Sequence, residues 1–137
     1  MAYLIDTDWV VHHLAGVQAV TSRLESYRQA GLAVPIPVLA ELYEGAFYSS
    51  NPEASQARLE EFLAGVDIIL ADEQTARIFA RERGRLRRQG RRIGDFDLLI
   101  APIALQHDLI LLSNNRTHFE RVPGLELESV DTTAPKT

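Results

Sequence analysis

The chain of 137 residues contains no cysteine and one lysine, Lys136, which is the penultimate residue. Without cysteine there is no disulfide, no thiolate metal site and no cysteine nucleophile. The near-absence of lysine counts against reactions that need a lysine in the active site. No apolar run is long enough to cross a bilayer, and the amino terminus lacks a basic segment followed by an apolar one. These absences predict a cytoplasmic protein.

The composition is otherwise that of one globular domain. Apolar residues make up 46% of the chain and charged residues 24%, which excludes disordered, collagen-like and coiled-coil proteins. A chain of this length forms one domain and buries a core without covalent cross-links. We predict a single domain over residues 1–130 and a flexible tail over residues 131–137.

Arginine is concentrated in one segment of an acidic chain. The net charge is −5, yet seven arginines lie within residues 81–92, with Glu82 as the only acid among them. Such a run is usually a solvated helix face and loop. The alternative is a phosphate-binding edge, because guanidinium groups bind phosphate through two parallel hydrogen bonds. No aromatic residues alternate with these arginines, so the sequence does not predict base stacking.

Short apolar segments alternate with helical patterns along the whole chain. Four segments have the length and composition of buried strands, and a fifth is weaker: Ala2–Asp6, Leu32–Val38, Val66–Ala71, Leu109–Ser113 and Gly124–Val130. The alternation predicts an α/β fold in which helices cover both faces of a parallel sheet of four to five strands. Pro35 and Pro37 argue against a central, fully paired position for the second strand.

Helix boundaries are marked by capping residues and glycines. Thr7 or Asp8 can cap the first helix, Asn51 and Asp72 two later ones, and Asp95 the helix over Phe96–His107. The other helices are predicted at Val17–Ala30, at Leu39–Phe47 and, as a turn or short helix, at Asn114–Phe119.

Three acids stand within aliphatic surroundings. Asp6 ends the first strand, and Glu41 lies about one turn into the helix after the second. Ligands of parallel sheets bind at the carboxyl ends of the strands, so both acids are expected there. Asp97 lies in the first turn of a helix that leads into a strand, so its position in the sequence does not place it at that edge. If the three carboxylates meet, a divalent metal such as Mg²⁺ or Mn²⁺ relieves their repulsion. Each acid could instead be a helix cap or a solvated residue.

Four segments resemble, in order and spacing, the successive blocks of PIN-domain ribonucleases, and above all VapC-type toxins of toxin–antitoxin pairs. They are Tyr3–Asp8, Pro37–Gly45, Ile93–Ala101 and Leu111–Phe119, the last followed by Val122–Leu125. The resemblance extends from Ala2 to about Val130. It implies a parallel sheet flanked by helices, an endoribonuclease that depends on Mg²⁺ or Mn²⁺, a homodimer, and inhibition by a VapB-like antitoxin. Candidate antitoxin surfaces are the helices around Val17–Ala30 and Glu53–Leu63.

The resemblance also assigns site residues. It makes Asp6, Glu41 and Asp97 the catalytic and metal-binding acids, with Thr7 as the hydroxyl residue beside the first acid. Asp95 is expected to be a cap and an outer-shell group, since residues two apart on a helix point in different directions.

Three positions depart from the family pattern. Asp8 stands where many members have asparagine, Asn115 where a fourth acid is common, and His118 at a commonly acidic position. Asn115 could bind a metal through its carbonyl but supplies no charge, so a second metal site is in doubt. The expected RNA-binding residues are the arginines that precede the third acid and the one after Asn115, namely Arg88, Arg91, Arg92 and Arg116.

Two rival functions remain open. The segment Asp6–Val10 resembles the first motif of haloacid-dehalogenase-type phosphatases, but those enzymes and receiver domains both need a lysine, and this chain has only Lys136. The second rival is a binding module without catalytic activity, whose acidic pocket holds a basic peptide. Metal-dependent RNA cleavage distinguishes the enzyme from both rivals.

Overall fold

The computed structural model describes residues 2–132. Its five strands form one parallel sheet in the order β3-β2-β1-β4-β5. The strands are β1 (Tyr3–Ile5), β2 (Leu32–Pro35), β3 (Asp67–Ile69), β4 (Ile110–Leu112) and β5 (Leu127–Glu128). The predicted α/β fold with a central parallel sheet is confirmed, and the weakly marked fifth strand is present.

Seven helices flank this sheet in the part of the chain that the structure describes. They are α1 (Thr7–Leu14), α2 (Gln18–Tyr27), α3 (Ile36–Phe47), α4 (Pro52–Leu63), α5 (Glu73–Arg88), α6 (Asp95–Gln106) and α7 (Arg116–Phe119). Helix α5 packs against α6, and α3 packs against α4. Within residues 2–132, none of the helices has the length and apolar character that a membrane span requires.

The central strands are buried on both faces. Leu4 and Ile5 of β1 are fully buried, as are Leu111 and Leu112 of β4. Since neighbouring residues of a strand point to opposite faces, helices must cover both sides of the sheet. This coverage explains why the strands are continuous aliphatic runs rather than alternating patterns.

The N-cap residue of α5 also contacts the end of α6, the helix that carries Asp97. Asp72 is the N-cap of α5, as predicted, and its carboxylate accepts the backbone N–H of Thr75. The amide of Gln106, the last residue of α6, donates to both carboxylate oxygens of Asp72 at 2.8 and 2.9 Å. The carboxylate thus satisfies the first turn of one helix and holds the end of the other.

The prediction that the second strand would not be central and fully paired was wrong. β2 lies inside the sheet, paired with both β1 and β3. The prolines do not interfere because Pro35 is the last residue of β2 and Pro37 is the second residue of α3. Proline is tolerated in the first turn of a helix, where the backbone N–H has no partner within the helix. The strand therefore ends before Val38, three residues earlier than predicted.

The first helix also begins differently from the prediction. Its N-cap is Asp6 rather than Thr7 or Asp8, and the Asp6 carboxylate accepts the backbone N–H of Thr7. At the other end of the chain, Lys136 and the rest of residues 133–137 lie outside the described residues. The division into a domain and a flexible tail stays a prediction.

Leu111→Ala tests how strongly the sheet depends on its central strand. Leu111 is fully buried in β4 between β1 and β5. We expect the free energy of unfolding in urea to fall by about 2–5 kcal/mol, because the change removes buried methyl groups and leaves a cavity. Leu70→Ala is the control, since Leu70 is 66% exposed, and its effect should stay within about 0.5 kcal/mol.

Candidate active site

Asp6 lies at the junction of β1, α1 and β4. Its Oδ1 accepts the backbone N–H of Thr7 at 2.8 Å, and its Oδ2 accepts the hydroxyl of Ser113 at 2.6 Å. Ser113 directly follows β4 and is fully buried, while Asp6 is 5% exposed. Two adjacent strands therefore fix one buried carboxylate at their carboxyl ends.

Thr7 connects the first acid to the second. Its hydroxyl donates to Oε1 of Glu41 at 3.1 Å, across from α1 to α3. Burial raises the pKa of Glu41, the Thr7 hydroxyl opposes this shift, and the charge of Asp97 adds to it. Glu41 thus lies close enough to Asp97 for their charges to interact.

Asp97 is held by two residues that follow β4. Its Oδ2 is 2.9 Å from Nδ2 of Asn115 and 2.9 Å from Nδ1 of His118. The Asn115 amide N–H donates to this oxygen, and Nδ1 of His118 does so when it carries the proton. These contacts place the first turn of α6 at the carboxyl end of β4, beside Asp6. The structure therefore brings all three sequence-predicted acids together.

The acids repel one another in a poorly solvated place. Burial raises the pKa of Asp6, the hydrogen bond from Ser113 opposes this shift, and the charges of Asp8 and Asp97 add to it, so that the pKa lies at about 7. Hydrogen bonds from Thr7 and Ser113 stabilise the charged form of Asp6 and offset only part of the free energy that its desolvation costs. A cation at this point would stabilise the ionised carboxylates.

Asp8 adds a fourth carboxylate to the site. Its Oδ2 accepts the backbone N–H of Asn114 at 2.9 Å. Its Oδ1 is buried and has no hydrogen-bond partner among the described residues. Burial raises the Asp8 pKa, and the charge of Asp97 adds to this shift. A buried carboxylate oxygen without a donor is costly, and a bound cation would satisfy it.

The available ligand atoms fit a hard divalent metal. Carboxylate and amide oxygens are the ligands that Mg²⁺ and Mn²⁺ prefer, and Mg²⁺ keeps several waters beside one or two carboxylates. Within residues 2–132, no group of three or more histidine, aspartate or glutamate side chains is arranged to hold a metal ion. The chemistry of the oxygen ligands, rather than a preformed arrangement of them, therefore favours a divalent metal here.

Asp95 does not cap α6, so that prediction was wrong. The N-cap is Gly94, which has an extended ψ of 147°, and the helix starts at Asp95 itself. The Asp95 side chain is 70% exposed and lies 3.7 Å from the guanidinium of Arg83. Asp95 thus pairs with a residue of α5, whereas Asp97 contacts residues that follow β4.

The predicted arginines occupy different places. Arg91 and Arg92 line a cavity of about 640 Å³ between the end of α5 and the start of α6. Arg88 is exposed but does not line this cavity. Arg116 is paired with Glu120 at 2.7 Å and donates to Ser129.

Sequence reasoning missed several residues of the site. The hydroxyl of Ser113 donates to Asp6, and the backbone N–H of Asn114 donates to Asp8. The side-chain oxygen of Asn114 accepts the indole N–H of Trp9 at 3.1 Å. The sequence does indicate these two residues, because they are polar and directly follow the aliphatic strand β4, at the edge of the sheet where ligands bind. Arg83 and Arg87 of the arginine run also line the cavity, although neither was among the expected RNA-binding residues.

Comparison with known proteins gives consistent results. The family model described as "PIN domain" matches residues 3–125. The chain is 32% identical over 128 residues to the tRNA(fMet)-specific endonuclease VapC of Shigella flexneri, covering 93% of this chain and 97% of that protein. It is 33% identical over 129 residues to ribonuclease VapC2 of Haemophilus influenzae, covering 94% and 98%.

Solved structures are similar over almost the same length. The fold matches VapBC2 of Rickettsia felis, solved bound to a DNA fragment from the promoter, with a TM-score of 0.89 and 32% identity over 96% of this chain and 100% of that one. DNA-bound VapBC of Salmonella typhimurium matches with a TM-score of 0.87 and 27% identity over 94% and 98%.

The raised pKa of Asp6 predicts the pH dependence of stability without metal. Its folded pKa of about 7 lies above the unfolded value of 3.8, so the stabilising contribution is complete below about pH 4 and is lost as pH rises toward 7. Between about pH 5 and pH 8, unfolding in urea with EDTA should show a loss of about 3 kcal/mol. Asp6→Asn should remove most of this slope, whereas the exposed-site change Asp95→Asn should keep it. An unchanged slope in Asp6→Asn would contradict the assignment.

Proposed function

The chain belongs to the PIN-domain family, and on this premise we propose that it is an endoribonuclease, the toxin of a VapBC-type toxin–antitoxin pair. The family match and the curated ribonuclease relatives confirm the predicted family and enzyme class. The observation that carries the proposal is the cluster of the buried Asp6 with the partly exposed Glu41 and Asp97 at the carboxyl ends of β1 and β4.

PIN-domain nucleases generally depend on a divalent metal, and we assign Mg²⁺ or Mn²⁺ to this chain. Asp6, Glu41 and Asp97 would hold the ion, with Asp8 close by. When bound, the metal supplies Lewis-acid stabilisation of the phosphate and lowers the pKa of a water. Asn115 is better suited to orient Asp97 than to replace a fourth acid, because its amide nitrogen already faces that carboxylate.

The surrounding residues position the reacting groups. Ser113 and the Thr7 backbone fix both oxygens of Asp6, and Asn115 and His118 fix Oδ2 of Asp97. Glu41 uses Oε1 to accept from Thr7, which leaves Oε2 to hold the metal or to orient the attacking water. Because the carboxylates are held before substrate arrives, little reorganisation is needed in the transition state.

An apolar groove is the proposed antitoxin site. It has a volume of about 350 Å³ between α1, α3 and α4, with Val11, Leu14 and Leu59 among its lining residues and Glu41 at its edge. Val11 is 51% exposed. We propose that an apolar segment of a VapB-like antitoxin fills this groove and that a basic side chain reaches the acids. The α4 surface predicted over Glu53–Leu63 adjoins the groove, whereas α2 does not line it.

Two further predictions rest on the family and are proposed on that basis. They are that the protein forms a homodimer and that it acts in the cytoplasm. Family membership argues against the phosphatase alternative. A binding module with an acidic pocket differs from the proposed toxin only in lacking catalysis, so the cleavage experiment separates the two.

Asp97→Asn tests the proposed reaction. Purified, antitoxin-free protein is incubated with a mixed RNA pool in Mg²⁺, Mn²⁺ or EDTA, and the cut ends are mapped. We expect cleavage only with metal and a loss of at least about 100-fold in the variant, since a group that stabilises the transition state is removed. Asp67→Asn, which changes an exposed acid of β3, should cleave like the wild type.

Cleavage that persists both in EDTA and in Asp97→Asn would contradict the acidic-cluster mechanism. Wild-type protein that neither cleaves RNA nor binds Mn²⁺ would favour the binding module instead.

A further inference from the structure

An arginine-lined groove lies beside the first turn of α6. Four guanidinium side chains line it, those of Arg83, Arg87, Arg91 and Arg92. The apolar side chains of Leu86, Ile93 and Leu98 also line the groove and are almost completely buried. Its volume of about 640 Å³ is nearly twice that of the apolar groove between α1, α3 and α4.

The loop between α5 and α6 is held in place by defined hydrogen bonds. The backbone N–H of Arg91 donates to the carbonyl of Leu86 at 2.9 Å. The guanidinium of Arg121 donates to the carbonyl of Arg92 at 2.6 Å. Gly90 has a φ of +68°, a conformation that a side chain would disfavour. The loop therefore presents its arginines from a fixed backbone, which lowers the entropic cost of binding.

The charge of the groove is opposite to that of the whole chain. Among the residues that line it, Asp95 is the only acid against four arginines, whereas the chain carries a net charge of −5. Asp95 lies 3.7 Å from Arg83, and both side chains are largely exposed. A local excess of guanidinium groups in an acidic protein favours a polyanion at this place.

Phe96 lies between the groove and the acids in the sequence. It is the second residue of α6, after Asp95 in the groove and before Asp97 in the acid cluster. Its side chain is 50% exposed. An exposed aromatic side chain beside a basic groove is a typical stacking surface for an unpaired base.

We propose that this groove binds the phosphodiester backbone of single-stranded RNA next to the cut, with a neighbouring base stacked on Phe96. The inference rests on the proposed ribonuclease function and adds where the substrate lies. Arg87 and Arg91 contact phosphates, and Asp97 lies on the other side of the same helix turn. Asp95 repels the strand, so it limits affinity and does not support the metal.

Fluorescence anisotropy with a labelled, mixed-sequence single-stranded RNA oligonucleotide measures the binding. EDTA prevents metal-dependent cleavage during the titration. The double change Arg87→Ala and Arg91→Ala should weaken binding at least about 10-fold and reduce the salt slope by about 1.4, or about 0.7 for each lost phosphate contact. Phe96→Leu should weaken binding about 5- to 10-fold, whereas Phe96→Tyr, which keeps an aromatic ring, should bind RNA like the wild type.

Asp95→Asn gives the sharpest result because the two possible roles of Asp95 predict different RNA affinities. The groove predicts binding about 2- to 5-fold tighter, since a carboxylate near the phosphates is removed. A role in supporting the metal predicts unchanged RNA affinity in EDTA and weaker Mn²⁺ binding. Controls are Arg77→Ala, an exposed arginine of α5 paired with Glu73 outside the groove, and Phe47→Leu, an equally exposed aromatic on α3.

The inference is overturned if the arginine, Phe96 and Asp95 variants all bind RNA like the wild type. It is also overturned if they bind RNA normally but lose affinity for an acidic peptide, which would make the groove a protein-binding surface. Cleavage by the wild type is measured in parallel with Mn²⁺. If the wild type cleaves RNA but the variants bind RNA normally, only the groove is rejected. If the wild type does not cleave RNA but the variants show altered RNA binding, only the proposed activity is rejected.

Discussion

The hydrogen bond from Ser113 to Asp6 joins the two strands on which the site depends. It connects the carboxyl ends of β1 and β4 and holds a carboxylate that is 5% exposed. The same carboxylate caps α1. Burying an acid with this little solvent destabilises its charged form, as the raised pKa of Asp6 indicates. The protein thus keeps a locally unfavourable charge where a cation would stabilise it, and the fully buried aliphatic residues of β1 and β4 supply compensating stability.

The fold could be predicted from the sequence because its strands are short aliphatic runs between helical patterns. The strand-end rule also placed Asp6 correctly, since it depends only on where one strand stops. Asp97 required the resemblance to known nucleases. Its place beside β4 results from contacts with Asn115 and His118, which follow a different element, and no local pattern contains such a pairing.

Errors arose where tertiary contacts decide between similar local signals. Asp95 has the sequence signature of a cap, yet Gly94 takes that role and Asp95 pairs with Arg83 on another helix. The prolines suggested an edge strand, but they lie where β2 gives way to α3. The arginine run allowed two interpretations, a solvated face or a phosphate-binding edge, because a local pattern does not show that Arg83, Arg87, Arg91 and Arg92 line one groove.

Calorimetric titration with Mn²⁺ tests the central claim, that Asp6, Glu41 and Asp97 form a metal site, most directly. Wild type, Asp6→Asn and Asp95→Asn are compared at a pH near 8, where Asp6 is mostly ionised. We predict binding by the wild type and Asp95→Asn, and a loss of at least about 10-fold in affinity for Asp6→Asn. Equal Mn²⁺ affinity in wild type and Asp6→Asn would contradict the account.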